Sequence, residues 1–279
     1  MATLHLIHTR RASKLPTSNF ATQDLGDPAH SRRDRLGEEY PPRTFVPIEW
    51  DSGRWPYRTG EFFRGLPEKA RSEFEWLAAP VCCQKSTVLF TEQQYPRSVL
   101  CLLEGRVKLW VDSIDGRRLI IGIAEPGEIL GLTAAVSGDR YGMIAESLFS
   151  CVVARIDREC FLDFLIRHTV AYRNVAHQLS QEYTRSREQS RMLGLSLTAA
   201  AKLARLLVGW CAEGQQTEHG IRIQCALTHQ EIGEHIGVSR ETVTRTMQEL
   251  KKRDLVEQRG ATLMISNFRG LEIFAGAAC

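Results

Sequence analysis

The sequence predicts an α+β chain: an antiparallel β-roll, then a long dimerisation helix, then a C-terminal winged helix-turn-helix. Three observations predict it. Between residues 81 and about 156 the chain runs in short β-rich stretches, "TVLF", "SVLCLLEGRVKLWV", "RRLIIGIA" and "CVVARI", punctuated by Asp-Gly at 115–116 and Pro-Gly at 126–127. From 168 to 193, "HTVAYRNVAHQLSQEYTRSREQSRML" repeats a residue set at helical spacing. Residues 227–256, "LTHQEIGEHIGVSRETVTRTMQELKKRDLV", hold two short apolar-periodic runs separated by a Gly and a Ser.

Length and composition are consistent with this plan. A chain of 279 residues exceeds one typical domain and suggests two compact units with connections. With 43% hydrophobic and 25% charged residues it reads as globular, and no apolar run approaches the roughly 18 residues of a membrane span. The opening "MATLHLIHTRRASK" lacks a continuous apolar core and a small-residue cleavage site, so a cytoplasmic location is expected. The net charge of +3 says nothing by itself about nucleic acid, because what matters is where the basic residues cluster.

Residues 1–62 contain six of the ten prolines and many charged residues without sustained periodicity, which predicts a weakly ordered extension with no core. Its Arg-Arg pairs could touch DNA phosphate or a protein, a solvated tail being the alternative. Residues 63–168 form the predicted β-roll domain, entered by a helix whose Leu66, Ala70, Phe74 and Leu77 share one face before Pro80. "SIDG" at 113–116 predicts a hairpin, Gly116 supplying the positive φ.

The helix over 169–194 has a heptad-like stripe of Val175, Leu179, Tyr183, Ser186, Ser190 and Leu193. Its flanks are polar, so a second copy across a two-fold axis would cover it; a helix lying on its own roll is the alternative. Residues 195–279 make the predicted DNA-binding domain. "LSLTAAAKLARLLVGWCAEG" supplies an amphipathic helix, Thr228 caps the next with Glu231 reaching back, and Gly237 makes the turn. Ser239 caps the last helix, and "LVEQRGATLMI" forms the wing with Gly260 at its turn.

On that last helix Val243, Met247 and Leu250 fall on one face, while Arg240, Glu241, Thr244 and Arg245 fall elsewhere. A helix fits the major groove, about 12 Å wide. Arg can donate twice to guanine and Glu can accept from cytosine, so this face has the groups to read a mixed half-site. Lys251, Lys252 and Arg253 would hold phosphate or cap the helix C-terminus. Salt bridging on a solvated surface is the alternative for all these charges.

The stretch "LTHQEIGEHIGVSRETVTR" closely resembles the DNA-binding domain of the cyclic-AMP receptor protein and fumarate-nitrate regulator superfamily. "EGRVKLWVDSIDGRRLIIGIAEPGEILG" resembles its β-roll, with Gly105, Gly116, Gly127 and Gly131 at the family's glycine positions, and the resemblance covers about 215 residues, from 65 to 279. It implies a homodimeric transcription regulator whose base readers are Arg240, Glu241 and Arg245, recognising TGTGA-like palindromes, with RNA polymerase as a further partner.

The resemblance also implies a cyclic-nucleotide pocket, and there the sequence departs from the pattern. In "GEILGLTAAVSGDRYGMIAES", Leu132 stands where a ribose-binding Glu belongs and about three residues are missing. Arg140 lies near the place of the phosphate-binding Arg-Ser pair, an exposed loop charge being the alternative. Ser186 and Arg187 fall where the purine would meet the helix. A ribose beside Leu132 would leave a polar group unpaired, at about 1–3 kcal/mol, so weak or absent cyclic-AMP response is expected.

Some relatives carry an iron–sulfur cluster on N-terminal cysteines. This chain has no cysteine before Cys82, so no such cluster is expected. Haem serves others, and His177 is a conceivable ligand or a plain surface residue. The eight cysteines are read as small buried hydrophobes, with a thiol sensor or metal site around Cys82 and Cys83 as the alternative. Two further readings are a winged helix that contacts protein, and an enzyme with a nucleotide-regulated domain. The latter lacks a P-loop, nucleophile elbow or metal-ligand cluster.

Overall fold

The computed structural model describes residues 45–56, 60–113, 116–194, 198–212, 214–225 and 227–276. Two antiparallel sheets form the roll. The first orders β1 (Phe45–Pro47), β2 (Ala79–Cys83), β9 (Cys151–Asp157), β4 (Ser98–Glu104) and β7 (Ile129–Leu130). The second orders β3 (Val88–Phe90), β8 (Ile144–Ser147), β5 (Val107–Asp112) and β6 (Arg118–Ala124).

Strand β4 shows why "SVLCLLE" reads as an unbroken apolar run. It is buried on both faces: Leu100 and Leu102 enter the core between the sheets, while Val99, Cys101 and Leu103 enter a second core behind the first sheet. That second core is covered by α1 (Glu68–Leu77), α3 (Arg158–Arg167) and the start of α4 (Thr169–Gly194), and it holds Phe62, Phe63, Phe74, Phe161 and Phe164. Edge-to-face ring pairs, such as Phe63 with Phe74 at 5.2 Å and 86°, interlock them.

Here the expected extension is corrected. Residues 45–56 and 60–62 belong to the fold: β1 pairs with β2, Trp55 and Phe62 are buried, and Asn174 donates to the carbonyls of Phe62 (2.8 Å) and Arg64 (2.7 Å). Close approach of backbone to backbone locks the segment down. A Cβ on Gly127 would lie 2.2 Å from the Gly60 Cα. Prolines and charges hid the Trp and Phe anchors because these are isolated in sequence and follow no period. Residues 1–44 lie outside the described residues.

Helix α2 (Leu132–Ser137) follows β7 directly, with Gly131 in the left-handed conformation at its N-cap. Helix α4 is clasped to β7 by Gln178, whose amide accepts from Ile129 N–H (3.1 Å) and donates to Ile129 C=O (2.8 Å). The expected stripe on α4 divides. Val175 is buried and Leu179 packs against the protein's own second core, whereas Tyr183, Ser186 and Ser190 are exposed and Leu193 is half-buried. Val175 is therefore corrected from an inter-chain seam residue to an intrachain core residue. The outward line begins instead with Tyr172 and Ala176.

The C-terminal domain comprises α5 (Ala199–Cys211), α6 (His229–Ile236), α7 (Arg240–Lys252), α8 (Phe268–Phe274) and a third antiparallel sheet. That sheet orders β10 (Gln215–Thr217), β11 (Gly220–Gln224), β13 (Thr262–Ile265) and β12 (Val256–Arg259). The β12–β13 hairpin is the expected wing, with Gly260 at φ 61°. The β10–β11 hairpin and α8 were not anticipated, since "QQTEHGIRIQ" is short and polar. No helix among the described residues is long and apolar enough to cross a membrane.

Candidate nucleic-acid interface

The geometry starts at the caps. Thr228 Oγ1 accepts from Glu231 N–H at 3.2 Å, and Glu231 Oε2 accepts from Thr228 N–H at 2.9 Å, completing a capping box on α6. Gly237 ends α6 at φ 68°, and Ser239 Oγ accepts from Thr242 N–H at 3.2 Å to open α7. Gly233 matters as much, and the sequence reading passed over it. A Cβ there would meet Val238 O at 2.6 Å, so only hydrogen lets α6 pass the turn this closely.

Helix α7 buries Val243, Thr246, Met247 and Leu250 in the domain core. Its other side carries Arg240, Glu241, Thr244, Arg245 and Gln248, which line one concave surface. Arg240, Glu241, Arg245 and Gln248 are exposed and Thr244 is half-buried. Among the described residues neither Arg240 nor Arg245 makes a side-chain hydrogen bond or ion pair. The Glu241 carboxyl is held below the usual carboxylate range by its own backbone N–H, by Ser239 and by Arg240. The surface thus presents two unpaired guanidinium groups and one carboxylate. Gln248 was missed, although helical spacing of four from Thr244 and eight from Arg240 puts it on this face.

Lys251 and Lys252 are exposed at the far end of α7, about 16–18 Å from Arg240 at 1.5 Å per residue. Arg253 is engaged elsewhere: it pairs with Glu249 at 2.8 Å and lies over the Phe274 ring at 4.9 Å. Of its two expected roles, phosphate holding and helix capping, the structure places Arg253 at the C-cap of α7.

The roll and the DNA-binding domain meet along a buried seam. Lys108 on β5 lies 3.1 Å from Glu146 and 3.0 Å from Glu231, with its side chain 7% exposed. His235 Nδ1 and Gln189 Nε2 both bond Ile120 O, at 2.9 and 2.5 Å. Leu148 from the roll packs in the core of the DNA-binding domain. Burial alone would raise the Glu231 carboxyl, but the Thr228 N–H and the Lys108 ammonium outweigh it and hold the value down. No sequence period marks Lys108 as buried, because its partners lie on other strands and in another domain.

A cleft of about 1150 Å³ opens between the roll, α4 and the DNA-binding domain. Of the expected effector residues, Gly131, Leu132 and Ser186 line it, while Arg140 and Arg187 do not. Arg140 bonds the Gln93 side chain at 3.0 Å and lies over the Tyr95 ring, which favours the exposed loop charge of its two readings over the anion ligand. Arg187 lies over Tyr183 at 5.8 Å. Leu132 is fully buried in the second core, while the roll interior next to Gly131 is filled by Tyr141, stacked on Phe90 at 4.0 Å and donating to Ser98 O at 2.9 Å. Cys83 and Cys151 are direct partners across β2 and β9, with their thiols in contact.

Comparison with known proteins adds independent evidence. Residues 80–168 match the profile of the cyclic nucleotide-binding domain, and 201–274 match that of the Crp-like helix-turn-helix domain. The chain is similar to the transcriptional activatory protein AadR of Rhodopseudomonas palustris, 32% identical over 185 residues that cover 66% of this chain and 76% of that protein. It is 28% identical to the nitrogen fixation regulation protein FixK of Bradyrhizobium diazoefficiens over 197 residues, covering 70% and 81%. Among solved structures, FixK2 from Bradyrhizobium japonicum shares the fold with a TM-score of 0.65 at 21% identity, covering 72% of this chain and 99% of that one.

Proposed function

The chain belongs to the Crp/Fnr family of transcription regulators and carries that family's helix-turn-helix DNA-binding domain; from that premise we propose that it acts as a homodimer on a palindromic operator of TGTGA-like half-sites, without needing cyclic AMP. The observation that carries this reading is the outward face of α7, where Arg240 and Arg245 stand exposed and unpaired beside Glu241. Two exposed guanidinium groups on one helix face have their donors free of protein partners, and each matches guanine O6 and N7 in the major groove. Thr228 and Ser239, at the two helix N-termini, sit where backbone N–H groups meet phosphate, and Lys251 and Lys252 add charge for the backbone farther along.

The dimer is supported by the exposed line Tyr172, Ala176, Tyr183, Ser186 and Ser190 on α4, which the protein's own core leaves uncovered. A two-fold pair would set the recognition helices one DNA turn apart, about 34 Å. Independence from cyclic AMP rests on buried Leu132 and on Arg140, which is turned to Gln93 and Tyr95. The protein works by binding rather than catalysis, in the cytoplasm, with RNA polymerase as the partner that converts binding into regulation. Fluorescence anisotropy at fixed salt tests this on a TGTGA-type palindrome and a scrambled duplex, each with and without cyclic AMP. Tight binding to the palindrome alone, unchanged by nucleotide, is expected. Binding that appears only with cyclic AMP would overturn the independence, and equal affinity for both duplexes would overturn the operator.

A further inference from the structure

Thr244 lines the concave face of α7 between Arg240 and Arg245, yet its hydroxyl is occupied from within the protein. Oγ1 lies 3.0 Å from Arg240 O, one turn back, and 3.0 Å from Nδ1 of His229 on α6. A threonine hydroxyl has one proton. With the imidazole protonated at Nδ1, that N–H donates to Oγ1 and the hydroxyl proton goes to the Arg240 carbonyl. With Nδ1 unprotonated, the hydroxyl proton goes to Nδ1. Under either tautomer the proton stays inside the protein, so Thr244 has no donor for a base edge.

The other ring nitrogen of His229, Nε2, is buried without a partner, so Thr244 is the ring's single hydrogen-bond contact among the described residues. With the hydroxyl so engaged, the methyl is the remaining group with which this half-buried side chain can meet a ligand on the concave face. Its match in the major groove is the thymine C5-methyl, the apolar mark that separates thymine from the other bases. We propose that Thr244 reads a thymine by methyl–methyl contact, and that His229 is the positioning residue that sets this mode by holding the hydroxyl. The inference rests on α7 being the base-reading helix, and it adds a letter that the Arg and Glu contacts do not supply. A remaining lone pair on Oγ1 would select a different target, the amino group of adenine or cytosine.

The test uses the full chain and a half-site first selected from a random duplex pool. Each thymine of that site is then replaced by deoxyuridine, which removes only the methyl. One position per half-site is expected to weaken wild-type binding roughly three- to fivefold, about the affinity carried by one buried methyl-sized group. T244V is expected to keep this thymine-to-uracil ratio and T244S to bring it to about one. H229F is expected to shrink the ratio, and H229N, whose amide N–H can occupy the place of Nδ1–H, to restore it.

Discrimination that persists in T244S, or that is lost in T244V, would overturn the methyl contact. An H229F ratio equal to wild type would remove His229 from the positioning role. A pool that yields no enriched sequence would overturn the base-reading helix itself, and this inference with it. Loss of enrichment in R240A with the uracil effect intact on the wild type leaves both standing.

Discussion

Lys108 of the β-roll and Glu231 of the first DNA-binding-domain helix form an ion pair of 3.0 Å that is almost closed to solvent, while the other oxygen of the same carboxylate completes the capping box with Thr228. One side chain thus both starts the helix and ties it to the neighbouring domain. Glu146 is the second acceptor of the same ammonium, at 3.1 Å.

Removing Lys108 should therefore cost more than removing Glu231. K108M leaves two largely buried carboxylates facing each other and is expected to destabilise by about 3–5 kcal/mol, as for any broken buried pair. E231Q keeps the capping box, which accepts Gln as well as Glu, and should cost about 1–2 kcal/mol. The double variant should recover part of the K108M loss. Urea unfolding of the four proteins checks this, and strict additivity would show that the two residues are not coupled.

Acid should loosen the same seam. Burial holds His235 below its usual value of 6.5, with the Ile120 hydrogen bond offsetting part of this. The unfolded chain therefore takes up a proton that the folded chain resists, so this contribution is complete above about pH 6.5 and is lost as pH falls below it. Glu231, held below 4.5, has the same sign at lower pH, and Glu182, raised by burial, has the opposite sign. The wild-type unfolding midpoint minus that of H235N should thus fall between pH 7 and pH 5. A flat difference would take His235 out of the acid response.

On DNA, Arg240→Ala and Arg245→Ala should each cost about 1–3 kcal/mol on the selected site and relax specificity there. Lys252→Ala should weaken selected and random duplexes alike and flatten the salt dependence by about one unit of slope. Anisotropy titrations at several salt concentrations separate the two behaviours.

The aromatic anchor before α1 should be as costly to remove as any core residue. Phe62 is fully buried against Phe63, Phe74 and Phe161, so F62A is expected to lose about 3–5 kcal/mol in urea unfolding. A loss below about 1 kcal/mol would mean that this segment does not belong to the folding unit.

Thiol labelling should be uneven. Of the described cysteines, Cys82 and Cys160 are partly exposed and the other five are buried. The thiol contact with Cys151 and burial raise Cys83, burial raises Cys101, and burial pushes Cys211 up to about 11. Maleimide pulses followed by peptide mass mapping should mark Cys82 and Cys160 first. Fast labelling of Cys83 or Cys151 in the native protein would favour a reactive sensor at that pair.

Much of the architecture was readable because it is periodic or punctuated. The short apolar runs of β4 and β5, the turn at Gly116, and the caps Thr228, Gly237 and Ser239 act within a few residues of themselves. The features that escaped depend on long-range partners. Phe62 is held by Asn174 on a helix more than a hundred positions away, and Lys108 reads as a surface residue until Glu231 is folded onto it. The stripe on α4 misled at Val175, because one helix serves its own roll at one end and faces outward at the other. At Arg140 the two readings stayed open in the sequence for a similar reason, since Gln93 and Tyr95 come from a separate loop.

Gln178 carries one more consequence. Strand β7 is two residues long and has a single neighbour, β4, so its outer backbone groups would offer a template for strand addition by another molecule. The Gln178 amide occupies both the N–H and the C=O of Ile129. A side chain from a helix thus stands where the next strand would add, and the first sheet ends at that edge instead of inviting aggregation.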